Sequence, residues 1–306
     1  LLIILGIGNM ILKKHKIPST GLVGGSAQVG DKFIHVVYQK HNPKNTSKNY
    51  YIVCFSWFAP YVADQIKNFP NDRTIYCCNS FEEVNFVRNL GRKAILCSES
   101  AINTSIDTFC IKNQNLQYNA IYNAGMMRWK NHLLAKGVPN LGMVYYPKIL
   151  YYEKELRIAM PESIWINELN RNREYQRLTP SQVAKVINKS RVGLCLSEVE
   201  GCNLVSVEYL LCGIPVVSVQ NKGGRDVFYD DAFAITVPPN EKKVEEAVCQ
   251  LINRNHDRSY IREATLLKLK NHRDRLKQAV DDMLGIDVTK ITFQKFHKKS
   301  RIELFL

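Results

Sequence analysis

The chain has 306 residues, 45% of them hydrophobic, and a formal net charge of +14. Such a composition buries one large core or two modest ones and excludes a disordered or low-complexity chain. The positive field favours anionic partners: nucleotide diphosphates, nucleic acid, acidic lipid or polysaccharide. Nine cysteines without a C-x-x-C pair and seven histidines without an i, i+4 pair lack the usual zinc spacings. We read the cysteines as small hydrophobes in a reducing compartment, with no metal and no cofactor.

The opening LLIILGIGNMIL is a mostly apolar run of about a dozen residues, whereas a membrane span needs about 20. Its basic residues, Lys13, Lys14 and Lys16, follow the run rather than precede it as in a signal peptide. It reads as a buried segment or a truncated first strand. GLVGGSAQVG, residues 21–30, has neither G-x-G-x-x-G nor Walker spacing and reads as a mobile loop near an acceptor site or a turn.

Strand-length apolar runs then alternate with helical patterns, the signature of parallel sheets with crossover helices. Strands are expected at Lys32 to Tyr38, Tyr50 to Phe55, Thr74 to Cys78 and Lys93 to Cys97, with a loop from His41 to Lys48. Ser80 and Glu83 make a capping-box pattern for a helix ending at Gly91. Ser98 to Asn103 reads as a helix cap at a strand's carboxyl end, with a cleft-facing role as the alternative. His35 and His41 flank a strand end and are secondary candidates for the cleft.

The polar stretch from Lys112 to Asn119 divides the chain into domains at 1–116 and 117–306. In the second, strands are expected at Leu141 to Tyr146, Val192 to Leu196, Pro215 to Val219 and Phe233 to Val237. Helices are expected after Thr179, from Asn203 to Leu211, after Asn240, and from Asp257 to Met283. Glu153 to Arg177 shows no clear period. The basic tail with Lys290, Lys295, Lys298, Lys299 and Arg301 ends in apolar residues, and packs on the first domain or docks on an acidic membrane surface.

The chemistry concentrates between Arg191 and Asp231. In an open parallel sheet a ligand binds beyond the carboxyl ends of the strands, and Glu198, Glu200, Gly201 and Cys202 fall there. Gly201 permits close approach of a ligand to the backbone, and a helix beginning at Asn203 or Leu204 offers free amides to an anion. Glu200 and Glu208, eight positions apart, can face one crevice and accept hydrogen bonds from hydroxyl groups. Gly223, Gly224 and Arg225 follow the next strand at the same end, where Arg225 would add positive charge.

The run EGCNLVSVE, followed by YLLCGIPVVS and NKGGRD, resembles the E-x7-E signature of retaining group 1 glycosyltransferases of GT-B fold. The resemblance implies two Rossmann-like domains facing across a cleft, the first one short. It assigns Glu200 to the donor sugar as the catalytic residue, Glu208 to the ribose, and the backbone at Gly201, Cys202, Asn203 and Leu204 to sugar and diphosphate. YNAGMMRWKNHLLA resembles the start of the family's second domain, where an arginine and a lysine hold the diphosphate. Lys130 matches the lysine; the arginine position falls on Gly125, with Arg128 the nearest substitute.

The implied activity moves a sugar from a nucleotide diphosphate sugar to a glycan or glycolipid hydroxyl with retention, in lipopolysaccharide or surface polysaccharide synthesis. The implied location is the cytoplasm, with peripheral contact at the inner membrane face as an option. A silent sugar-nucleotide or glycan binding module and a nucleotide-sugar epimerase of the same fold are the alternatives. Nucleic acid is not an expected partner, because the basic residues are not interleaved with exposed aromatics.

Overall fold

The computed structural model describes residues 23–29, 31–44, 46–146, 150–168 and 175–285. The apolar opening run and the basic tail, with its membrane or packing role, therefore lie outside the described residues.

The first sheet is formed by β1 (Val23–Val29), β2 (Lys32–Tyr38), β3 (Asn49–Cys54), β4 (Thr74–Cys78) and β5 (Ala94–Leu96), in that spatial order. Strands β2 to β5 are parallel and β1 is antiparallel to β2. This corrects the loop or turn expected for the glycine-rich segment. A β ladder is made by backbone groups and needs no side chain, so residues 23–29 pair with β2 despite Gly24 and Gly25. The sheet follows chain order and has no reversal.

Helices α1 (Ala63–Ile66) and α2 (Phe81–Asn89) join successive strands of this sheet, and α3 (Glu99–Asn103) follows β5. The Ser80 hydroxyl caps α2 by accepting from the Glu83 amide at 3.2 Å. Glu83 does not return the bond to Ser80. Its carboxylate accepts instead from the amides of Asn79 at 2.7 Å and Ala59 at 2.9 Å, tying α2 to the loop after β3. Burial pushes its pKa up to about 7 despite these two bonds.

The second sheet contains β6 (Tyr118–Gly125), β7 (Leu141–Tyr146), β8 (Ile164–Trp165), β9 (Ser190–Cys195), β10 (Val216–Val219) and β11 (Ala234–Val237). All are parallel, in the spatial order β11-β10-β9-β6-β7-β8. The order runs outward in both directions from β6, so the chain reverses between β6 and β9. Within the unassigned stretch from Glu153 to Arg177, residues 153–159 lie in α4 (Leu150–Ala159) and residues 164–165 form the short β8.

Helix α5 (Pro180–Ile187) begins with a complete capping box between Thr179 and Gln182. Helices α6 (Leu204–Leu211) and α7 (Glu241–Asn253) cover opposite faces of the sheet. Val207, Leu210 and Leu211 pack with Ile121 and Val216 on one face, and Val244, Val248 and Leu251 with Leu194 and Val217 on the other.

Helix α8 (Arg258–Leu284) spans about 40 Å at the usual rise per residue. Its buried stripe is Ile261, Thr265, Leu269, His272, Leu276, Val280 and Leu284, spaced by three and four. Ile261 and Leu269 join the second-sheet core, whereas Leu276, Val280 and Leu284 pack with Ile34, Ile52 and Ile75 under the first sheet. Arg273 Nε donates to the Ala101 carbonyl at 2.8 Å, and the Ser98 amide donates to His272 Nδ1 at 3.1 Å. One helix thus stabilises both domains. Among the described residues no helix is long and apolar enough to cross a membrane.

Candidate functional site

Strand order reverses between β6 and β9, and in open α/β sheets a ligand binds beyond the carboxyl ends of the strands at such a point. The loop after β6 makes two 3-10 turns, Arg128–Lys130 and His132–Ala135, joined at Asn131 with φ 53°. The Asn131 side-chain amide donates to the Leu196 carbonyl at 3.2 Å and to Glu198 Oε1 at 3.1 Å, lashing this loop to the one after β9. The Tyr122 hydroxyl donates to the Lys130 carbonyl from beneath. These bonds aim the Lys130 ammonium at Glu200, and the two charges form an ion pair with side chains 19% and 10% exposed.

The loop after β9 is held by its neighbour after β10. The Lys222 amide donates to the Glu198 carbonyl at 2.8 Å, and the Glu200 amide donates to the Lys222 carbonyl at 3.1 Å. Helix α6 then starts at Leu204 with Asn203 at its cap, and no side-chain hydrogen bond covers its first amides. The Ser206 amide bonds back to the Asn203 carbonyl at 3.1 Å, which leaves the amides of Leu204 and Val205 at the helix's positive end. Glu208 lies on the second turn, and desolvation pushes its pKa up to about 7.

Gly201 is close to protein rather than open to a ligand. A Cβ there would lie 2.6 Å from the Ser56 carbonyl carbon and 2.9 Å from the Phe55 carbonyl oxygen, both on the first domain. Gly224, at φ 81°, likewise admits the Asn79 carbonyl. The Cys202 thiol is directed at Glu99 and Ser100 and is pushed well above its ordinary pKa by burial and by that carboxyl group. Small residues in the second domain therefore let the carboxyl ends of β3 and β4 dock. Trp57 and Trp129 also meet across the two domains, edge to face, with centroids 6.1 Å apart.

Two expected cations are committed elsewhere. Arg128 forms an ion pair with Glu155 at 2.8 Å and lies over the Tyr152 ring, beside a groove of about 290 Å³ that Asn131, Glu198 and Pro239 also line. It does not join the Lys130–Glu200 pair. Arg225 is 2% exposed and does not charge the crevice. Its guanidinium donates to the Ser218 and Ser197 hydroxyls and to the Cys195 and Val219 carbonyls at 2.9–3.1 Å, locking the ends of β9 and β10 together.

Among the histidines, His35 shares a 2.7 Å hydrogen bond with the Ser26 hydroxyl, and His41 packs against Tyr51 and Phe69. His132 is buried against Tyr122 and Tyr152, and desolvation lowers its pKa to about 3.

Two residues near the site, Asn131 and Tyr146, were not singled out in the sequence, and Glu99 was named only within the stretch Ser98 to Asn103. An asparagine directly after the candidate lysine signals a left-handed turn, which was the available clue to Asn131. The Glu99 carboxylate accepts from the Tyr38 hydroxyl at 2.6 Å and from Asn103 at 2.9 Å, and burial raises its pKa. Tyr146 ends β7 as the register partner of Gly125. The assembled surface offers one paired lysine, helix amides for an anion, and two carboxylates for hydroxyl groups.

Two Rossmann-like sheets, a switch-point crevice facing the first domain and a helix returning across both domains make up the GT-B architecture of glycosyltransferases. Within it, residues 167–267 match the model of the family Glycosyl transferases group 1. The chain superposes on HepE of Anabaena, solved in complex with UDP, with a TM-score of 0.59 and 10% identity over 76% of this chain and 72% of that one. It matches the pneumococcal O-GlcNAc transferase GtfA, solved with UDP and GlcNAc, with a TM-score of 0.57 and 15% identity over 78% of this chain. TarM of S. aureus matches with a TM-score of 0.60 and 13% identity over 82% of this chain. The match spans about half of the latter two, 53% of GtfA and 54% of TarM. No curated protein sequence matches this chain.

Proposed function

We propose that this protein transfers a sugar from a nucleoside diphosphate to an acceptor hydroxyl with retention at the anomeric carbon. The observation that carries the reading is the Lys130–Glu200 pair at the switch point of a GT-B fold, with Glu208 on the second turn of the helix that follows Glu200. In this reading Glu208 holds the ribose, and Lys130 with the backbone at Cys202, Asn203 and Leu204 holds the diphosphate. Glu200 lies against the sugar.

The bond between the anomeric carbon and the diphosphate oxygen breaks with its electron pair on the leaving group, the acceptor oxygen bonds to the anomeric carbon on the same face, and the acceptor's proton passes to the departing diphosphate. Fixed amides and an ammonium already aimed at that position stabilise the developing charge without reorganising. The acceptor enters from the first domain, and the +14 charge favours an anionic one, such as a phosphorylated glycolipid or surface polysaccharide.

UDP in the HepE and GtfA structures makes UDP the first probe. Calorimetry with UDP, GDP and ADP, followed by nucleotide release from UDP-glucose and UDP-GlcNAc with and without oligosaccharide acceptors, tests the reading. Glu208→Ala is expected to lose both binding and release; unchanged values would remove the assignment. The packed tyrosine beside Gly125, where the resemblance places an arginine, favours a second reading: a module that binds sugar nucleotide without turnover. UDP binding with no release over hours identifies it.

A further inference from the structure

Gly125 and Tyr146 are register partners at the carboxyl ends of β6 and β7, beside the point where strand order reverses. A Cβ at residue 125 would lie 2.9 Å from Tyr146 Cε2 and 3.1 Å from Cδ2, with the Met127 methyl at 3.2 Å. One ring edge therefore fills the space above Gly125. The glycine is occupied by Tyr146 and has no room for a longer side chain.

Tyr146 is 47% exposed although it ends a strand whose other residues are buried. A large exposed aromatic at the carboxyl end of a parallel strand belongs to the ligand surface rather than to the core. Desolvation comes first among the influences that raise its phenol pKa, followed by the charges of Glu208, Glu200 and Tyr175, with Arg177 opposing. The phenol therefore stays protonated, a neutral donor.

Along a nucleoside diphosphate sugar the diphosphate joins the ribose to the sugar. Under the reading above the diphosphate lies beside Lys130, in the turn that leaves β6, and Tyr146 closes the neighbouring strand β7 over Gly125, at the same carboxyl ends of the sheet. We propose that the Tyr146 hydroxyl donates a hydrogen bond to a diphosphate oxygen, so that a neutral phenol complements the Lys130 ammonium. This inference depends on the proposed donor site.

Titration calorimetry of wild type, Tyr146→Phe and Tyr146→Ala with UDP and UMP tests it, melting temperatures serving as the check on folding. Tyr146→Phe keeps the ring over Gly125 and is expected to weaken UDP about tenfold, the effect of losing one hydrogen bond to a charged acceptor. UMP, which lacks the second phosphate, is expected to change far less. Equal UDP affinity in wild type and Tyr146→Phe overturns the proposal. So does an equal loss for UDP and UMP, which places the hydroxyl on the nucleoside. If wild type binds none of UDP, GDP and ADP, the donor-site reading fails and this proposal falls with it.

Discussion

Lys130 and Glu200, 70 residues apart in sequence, meet as an ion pair where the second sheet reverses its strand order. Neither is placed by its own element alone. Asn131 ties the lysine's turn to the β9 loop, and Lys222 ties the glutamate's loop to the one after β10. A pair so held is preorganised, with a cation and a carboxylate fixed at one point beyond the strand ends.

Lys130→Met is therefore expected to reduce turnover by about 100-fold, as for loss of one preorganised stabiliser of a leaving anion. Nucleotide release under saturating donor is the measurement. A double-mutant cycle with Glu200→Gln on stability should show a coupling of about 1 kcal/mol, since the charges are in contact and mostly shielded from water. Additive values would mean that the pair forms only transiently.

Glu208 gives a pH signature. Its folded pKa, about 7, lies above the ordinary carboxylate value, so between about 4.5 and 7 the native state binds the extra proton. Stability therefore falls as pH rises through that window. Glu83 behaves in the same way, with its own pKa near 7. The difference in melting temperature between wild type and Glu208→Gln isolates the Glu208 part. Wild type should lose stability relative to the variant from pH 5 to pH 8. UDP affinity should rise over the same range in wild type, because the ionised carboxylate is the better acceptor for ribose hydroxyls. A flat difference in both quantities would assign the site another ribose partner.

Much of the second domain was legible because its signals are local. Thr179 and Gln182 cap α5 within one turn, and Glu200 and Glu208 flank the start of one helix. What stayed hidden depends on pairings between distant segments. The glycine-rich strand becomes a strand through β2, and Glu83 reaches an amide 24 residues away. Tyr146 meets Gly125 only through the parallel register of β6 with β7. Arg225 looked like a crevice cation because its four acceptors, on residues 195, 197, 218 and 219, are gathered by tertiary folding. The division at residue 116 leaves α8 wholly in the second domain, yet its last turns pack under the first sheet.

Arg225→Met tests the structural role of that arginine. The methionine fills part of the volume but leaves buried hydroxyls and carbonyls without their donors, at a cost of about 3 kcal/mol. Chemical denaturation should show this loss. UDP affinity measured well below the melting temperature should stay within about twofold of wild type, since the guanidinium does not reach the crevice. A selective loss of UDP binding at unchanged stability would return Arg225 to the ligand.

Gly125→Arg restores the residue type that the resemblance places there. Because its Cβ meets the Tyr146 ring at 2.9 Å, the substitution overpacks the strand ends and should cost about 1–3 kcal/mol. Adding Tyr146→Ala clears the space, so the double variant should recover most of that stability while the arginine enters the cleft. Recovery is read from denaturation midpoints. Equal midpoints for the single and double variants would show that the ring was not the obstacle.

Helix α8 makes a last prediction about how the two domains depend on each other. Leu276 is fully buried against the first sheet, although its helix begins in the core of the second. Leu276→Ala removes a core side chain that the surroundings cannot fully replace, and should cost about 3 kcal/mol. The loss should register in β2, β3 and β4, whose residues Ile34, Ile52 and Ile75 line that contact, as faster amide hydrogen exchange. The amides of β6 and β9, which pack on α6 and α7, should exchange at nearly the wild-type rate. Uniform acceleration through both sheets would instead mean that α8 makes the two domains a single cooperative unit, so that damage under the first sheet is felt at the Lys130–Glu200 crevice.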